Sequence, residues 1–501
     1  MRRKYWTAGA AVFVWVLAAA SYSHAIPAFS RQYGTSCSTC HVDFPKLNDF
    51  GKAFKDGGFK FPKDDETFMK IPPVMLGAPA QKDNWPHSIW PGTIPGLPPL
   101  GFRYSTFFQV LSKNRNNFNR QFPGQVGQFI PRTDFQNGTL SIFMAGNFGS
   151  DVAFWIDDDL AVGGSGADGG MGDAYLKFVN VGRFLKLPKD LLNLRIGQFE
   201  LDLPFSQART WNLSGWDIFD QPNIGTGSDF VNNGFAMANA AQGIEFSGGH
   251  TYGGYHYSLA LVNQNTSGTV ADGANVGPGG DAFSSDSNFK DLYGRFSYRL
   301  NLERDKESRE GIQAAGATGP RDHTYIDVGT FAFYGRSVQR ITAGDTVFTA
   351  REPFYRVGGN FTFNYRNFNL LGLYMYGHDR NQIIVDAPSP FAAGPSIHFG
   401  GGFLEADYLA TPWMMTILRW DNVNSASDRL NGEDGGGFFS PFHSTRQRIT
   451  PGIQFLIHAN IKAAFEYQIR PEQIVINPDT GERITGPFRT NSAVAGLDFA
   501  F

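Results

Sequence analysis

From residue 101 to the end of the chain, apolar and polar side chains trade places with a period of two. Ile461, Ala463, Phe465, Tyr467 and Ile469 alternate with Lys462, Ala464, Glu466, Gln468 and Arg470, and Tyr355, Val357, Phe361, Phe363 and Tyr365 alternate with Arg356, Asn360, Thr362, Asn364 and Arg366. That period puts successive side chains on opposite faces of a strand. Runs of about ten residues, apolar on one face and polar on the other, suit a transmembrane barrel strand. Past the first twenty-five residues no stretch has the roughly eighteen uninterrupted apolar residues that a spanning helix needs. If such a chain enters a membrane, it does so as a barrel.

Sixteen segments follow the pattern, from 101–111 and 138–148, through 324–338 and 352–366, to 461–471 and 489–501. They predict an all-β fold, a transmembrane antiparallel β-barrel of about 16 strands, which is in the porin range. Long connections (112–137, 203–240, 265–288, 380–397, 423–445, 472–488) mostly alternate with short ones near 149, 367, 411 and 460. Segments 172–182 and 412–422 carry the pattern weakly, and Pro451 interrupts another. Phenylalanine (47) and glycine (59) are both abundant and charged residues are only 18% of the chain, which fits alternating strands better than packed helices. A formal charge of −3 gives no sign of a nucleic-acid partner. The soluble alternative, a large β-sandwich, seldom ends on so abrupt an alternation as Ala493, Ala495, Leu497, Phe499, Phe501.

Ahead of the barrel the chain changes character three times. Arg2, Arg3 and Lys4, an apolar run from Ala8 to Ala20, and Ser23-His24-Ala25 form an export signal over 1–25, cut after Ala25. A small module covers 26–62, a proline-rich linker 63–100, and the barrel domain 101–501.

The module holds Cys37-Ser38-Thr39-Cys40-His41, and the chain has no other cysteine. Two thiols three residues apart followed by a histidine form the attachment site of a c-type haem: Cys37 and Cys40 give thioethers, and His41 ligates the iron on the proximal side. A disulfide or half of a zinc site is the alternative, and zinc would need a second ligand pair. Leu47, Phe50 and Phe54 mark one face of a short helix opened by Pro45 and stopped by Gly57-Gly58, with that face against the porphyrin. Arg31, Lys46, Lys52, Lys55 and Lys60 give the module a basic bias suited to haem propionates. Fewer than forty residues cannot bury a haem unaided, so the module is expected to plug the barrel lumen.

Distal ligands are harder to find. Met69, Met75 and His87 are the nearest, while His256 and His458 sit at lumen-facing positions of the strand pattern. Asp157, Asp158, Asp159, Asp168 and Asp173 are carboxylates suited to a hard divalent cation, or to a solvated acidic rim. The mixed-charge run 303–310 would suit docking of a periplasmic cytochrome, or would simply stay wet.

Residues 27–34 (Pro-Ala-Phe-Ser-Arg-Gln-Tyr-Gly), Cys37, Cys40 and His41, then Pro45, Leu47, Gly51, Lys52, Phe54, Lys55 and Gly58-Phe59, resemble the outer-membrane fused monohaem cytochrome–porins of iron-oxidising bacteria. Ser30 and Tyr33 depart from the small residues of that pattern. The resemblance implies one haem c in a sixteen-stranded barrel, set in the lipid of a bacterial outer membrane. It further implies electron transfer from an extracellular donor, ferrous iron in the iron oxidases, to a periplasmic cytochrome or similar acceptor. The competing expectations are a diffusion porin with a redox-sensing haem head and a haem peroxidase.

Overall fold

The computed structural model describes residues 28–43, 45–61, 65–77, 83–84, 93–96, 99–111, 133–149, 151–162, 170–206, 210, 212–220, 237, 240–249, 253–263, 289–302, 324–343, 346–382, 393–425, 445–470, 474–476, 483–485 and 491–500. Sixteen strands form one closed antiparallel barrel, each bonded to its neighbours in sequence and the last to the first. They are β1 (Leu100–Leu111), β2 (Thr133–Phe148), β3 (Val152–Val162), β4 (Gly170–Phe178), β5 (Asn193–Phe199), β6 (Ala241–Gly249), β7 (Gly254–Val262), β8 (Asp291–Asn301), β9 (Tyr325–Ala343), β10 (Thr346–Tyr365), β11 (Phe368–Gln382), β12 (Ala393–Thr411), β13 (Met414–Ser425), β14 (Thr445–His458), β15 (Ile461–Gln468) and β16 (Ser492–Ala500).

The alternation sets the faces as expected. Lys462, Ala464, Glu466 and Gln468 of β15 are buried inside, whereas Phe465 and Tyr467 stand exposed outside. Both segments with a weak pattern are strands. Pro451 lies within β14, and the β14–β15 ladder breaks there: continuous pairing runs only from Gly452, with a separate bridge from Ile449 to Ile469. Strands β9 and β10 run further than the alternation of apolar residues suggested, pairing out to Ala343 and Thr346. Polar residues such as Gln339, Arg340 and Thr349 pair there as readily as apolar ones, so pairing outlasts the apolar pattern. The short connections after Phe148, Tyr365, Thr411 and His458 share one end of the barrel with both barrel termini.

Two stretches enter the barrel. The N-terminal one carries α1 (Ala28–Tyr33), a 3-10 turn at Cys37–Thr39, short paired strands at His41–Asp43 and Lys46–Leu47, and α2 (Asp49–Asp56). Asn48, not Pro45, starts α2: its side chain accepts from Gly51 N at 2.8 Å, as an N-cap does, while Pro45 lies in the turn between the two short strands. Gly57 and Gly58 (φ 79°) end the helix as the sequence suggested. Contacts of this stretch continue past residue 62 through α3 (Asp65–Phe68), where Asp65 accepts from Tyr33 Oη (2.7 Å) and Phe61 N (2.8 Å). The second stretch, described over 200–206, 210 and 212–220, folds inward from the opposite end and ends in α4 (Asp217–Asp220). Trp216, Ile218 and Phe219 pack there against inward-facing Phe331, Leu373 and Phe403.

The linker does not thread the lumen beside them. Its hairpin of Val74–Met75 and Thr93–Ile94 lies on the outside of the barrel, where Pro95 faces outward-pointing Gly146.

Candidate functional site

Cys37, Cys40 and His41 all line one cavity of about 510 Å³ between the N-terminal stretch and the inner wall of β1–β4. The volume falls within the ~300–1,000 Å³ of a cofactor- or ligand-sized pocket. One side is aromatic, with Phe29, Tyr33, Phe54 and Phe59 from the N-terminal stretch and Phe143 and Trp155 from the wall. These rings hold one another: Phe29 stacks on Phe59 at 5.1 Å, Tyr33 on Phe61 at 4.2 Å, and Phe59 lies 5.8 Å from Trp155. The opposite side is polar and includes Ser141, Asp157, Asp159 and Glu200, with Asn212 and Leu213 of the second stretch as a further wall.

Local geometry explains how the motif is held. Asn48 Nδ2 donates to the carbonyl of Thr39 (3.0 Å), and Asn48 N donates to that of Cys40 (2.9 Å), so the start of α2 is tied to the cysteine turn. Gly51 makes the approach possible, because a Cβ there would stand 2.1 Å from the Cys40 carbonyl oxygen. His41 Nδ1 donates to the Pro45 carbonyl at 3.1 Å, which puts the lone pair on Nε2. Burial pushes the imidazole down to about 4, against the opposing pull of the Pro45 and Lys46 carbonyls, so His41 is neutral near pH 7. Burial also raises both thiols, Cys40 to about 12, and neither is in a disulfide. Lys46 is lowered to about 8 by burial, which Asp407 and Glu405 partly offset.

The donor set fits a c-type haem. Two protonated thiols and a neutral imidazole of fixed tautomer share one cavity. Trp155 and Asn212, which also line the cavity, each carry a buried polar atom, Nε1 and Oδ1, with no hydrogen-bond partner among the described residues, as an occupant with a polar edge would explain.

The other sequence candidates are dispersed. Met69 packs on the aromatic cluster, Met75 is half exposed on the linker hairpin, and neither lines the cavity. His87, Asp168 and 303–310 lie outside the described residues. His256 Nε2 meets Asp202 at 2.8 Å away from the cavity, and His458 is exposed beside the 459–460 turn. Among the described lining residues there is no methionine and no second histidine. Asp157 and Asp159 belong to the cavity wall rather than to an outer loop: Asp157 accepts from Asp173 N and Asp159 from Ser141 Oγ. Only parity marks them in the sequence, since 155, 157 and 159 share the inward face of β3.

No family model matches the chain, and no curated protein does. Solved structures do show likenesses. The outer membrane channel DcaP of Acinetobacter baumannii is 12% identical over 80% of this chain and 96% of its own, with a TM-score of 0.46. An anion-selective porin from Comamonas acidovorans is 12% identical over 80% and 98%, with a TM-score of 0.45. OprB of Pseudomonas putida is 11% identical over 80% and 94%, with a TM-score of 0.44. The barrel assignment rests on the chain's own closure and register.

Proposed function

We propose that the chain is an outer-membrane electron-transfer protein that holds a c-type haem inside its barrel, between an extracellular donor and a periplasmic acceptor. The observation that carries this reading is the meeting of Cys37, Cys40 and His41 in one cavity walled by the barrel. A closed barrel with exposed outward Leu259, Phe296, Leu418 and Trp420 suits hydrocarbon. Its short-turn end would then face the periplasm and its long connections the outside.

When bound, a c-type haem supplies a one-electron iron couple. Cys37 and Cys40 would tether it and His41 Nε2 would ligate the iron, while the Pro45 carbonyl holds the other ring nitrogen and so fixes tautomer and ring orientation. The aromatic rings exclude water, and Trp155 Nε1 has a proton to donate to a carboxylate edge. Ferrous iron enters as the donor through the resemblance of the haem motif; among the described residues no group of three or more His, Cys, Asp or Glu is placed to hold a metal ion. An apolar band of about 25 Å separates the two aqueous phases, so a redox centre midway shortens both transfers.

Stopped-flow mixing of the reconstituted protein with external ferrous iron tests the reading. Reduction of the haem bands supports it, and bands that stay unchanged remove the iron-oxidase part. A second reading, a diffusion porin, is favoured by the closed sixteen-strand barrel itself, whose size suits an aqueous channel. Liposome swelling separates the two, since free passage of small sugars through the haem-loaded protein favours the pore.

A further inference from the structure

The connection between β4 and β5 is much longer than its neighbours at the short-turn end, and it is firmly built. Arg183 N donates to Asn180 O (3.1 Å), Leu187 N to Gly182 O (2.9 Å), and Asp190 N to Asn180 Oδ1 (2.6 Å). Three non-glycine residues, Asn180, Lys186 and Asp190, are held at positive φ of 58°, 57° and 65°. Such conformations persist only where the surroundings over-determine them, and they point to a use. What this framework displays is Phe184 at 77% exposure and Leu185 at 67%, flanked by exposed Arg183, Lys186 and Lys189. Apolar side chains held outward beside cations are the pattern of a lipid interface.

An apolar groove lies next to it on the outer wall. It has a volume of about 850 Å³ between Val74, Ile94 and Pro95 of the linker hairpin and outward-facing Phe154, Leu176 and Ile196. The turn at 149–151 joins the two features. Thr93 of the hairpin lies against Gly149, while Asp151 accepts from Val179 N (2.8 Å) and pairs with Arg183 at 2.6 Å. Leu176 and Ile196 also belong to the strands that lead into and out of the cationic turn. The groove thus lies on the lipid-facing wall, on the same strands that carry the cationic turn.

We propose that this corner of the rim binds one anionic phospholipid of the periplasmic leaflet, with its phosphate at Arg183, Lys186 and Lys189 and an acyl chain in the groove. The site rests on the reading of the barrel as membrane-inserted. The linker hairpin thereby gains a purpose that a mere tether lacks: it supplies one wall of the groove.

Native mass spectrometry of the detergent-purified holoprotein, offered equal phosphatidylglycerol and phosphatidylcholine, tests it. The expected result is retention of one phosphatidylglycerol about tenfold over phosphatidylcholine, with Arg183→Gln/Lys186→Gln/Lys189→Gln abolishing the preference and Lys186→Arg/Lys189→Arg keeping it. Heat-modified gel mobility verifies that each variant is a folded barrel. No preference in the wild type, or a preference that survives the triple substitution, overturns the site. So does a triple variant that keeps the preference but exchanges electrons more slowly with an acidic soluble protein, because the patch is then a protein dock. A chain that stays monodisperse without detergent overturns the membrane reading itself, a result distinct from these.

Discussion

Two stretches of chain occupy the interior of this barrel, and different forces hold them there. The stretch at 200–220 is locked by charge. Arg448 pairs with Asp217 (2.9 Å) and Asp421 (3.2 Å), Arg470 with Asp217 (3.3 Å), and Arg419 with Asp421 (2.9 Å). Glu405 takes hydrogen bonds from Asn212 and Trp216, and Glu466 from Leu213 N and Ser214. The N-terminal stretch is packed mainly by rings, stacked on one another and reaching Trp155 of the wall, and its ion pairs to the wall include Asp49–Arg299 and Asp56–Lys177. It also borders a cavity of about 510 Å³ on the inner wall. A network of buried ion pairs and hydrogen bonds fixes a fill in place. The N-terminal stretch instead meets the wall across a ring-lined hollow that two thiols and an imidazole share.

The sharpest break of that contrast is at the cysteines. In a Cys37→Ala/Cys40→Ala variant the 200–220 network is untouched, so a folded barrel is expected that carries no covalent haem at all. Haem staining of the denatured band checks it. Stain persisting at wild-type strength would refute the assignment of the motif.

Next comes the charge lock. Arg448→Met leaves Asp217 and Asp421 buried with one cation fewer each, and removing one partner of a buried pair costs about 3–5 kcal/mol. Urea unfolding in lipid vesicles should register that loss, while haem content per folded protein stays constant. A parallel fall in haem content would mean that the two stretches are not independent.

How much of this was legible beforehand differs between the same two regions. The inward charges of the lock follow from parity: Glu405, Asp407, Arg419, Asp421 and Arg448 occupy the lumen face of their strands, and period two alone identifies them as polar lining. That 200–220 folds back upon them is not written in any period, because a connection has no alternation to follow and its path is decided by what it meets. The cysteine motif was plain because the chain spends its two cysteines on it. Its enclosure by Asp157, Asp159 and Trp155 was not, since that depends on which strands face the module. The outside course of the linker left one trace, Gly146 at an outward strand position, where a missing side chain leaves room for the Pro95 ring.

A smaller effect is expected at Gly51. Its replacement by Ala forces α2 away from the Cys40 carbonyl, an overpacking of the kind that costs about 1–3 kcal/mol. Because the displaced group belongs to the motif, the loss should appear as reduced haem loading, read from the absorbance ratio of haem to protein, with unfolding of the barrel unchanged. An unfolding shift with full haem loading would place the strain in the wall and not in the motif.

The smallest effect tests how little charge contributes to holding the N-terminal stretch. Lys177 reaches Asp56 at 3.6 Å, but Asp56 is 47% exposed, and pairs so open to solvent are worth at most about 1 kcal/mol. Lys177→Met should therefore leave haem loading and urea midpoint within error of the wild type at both low and high salt. If it instead loosened the stretch in a salt-dependent way, the N-terminal region would be pinned by charge like its neighbour. The division between a locked fill and a packed holder would then no longer describe the interior of this barrel.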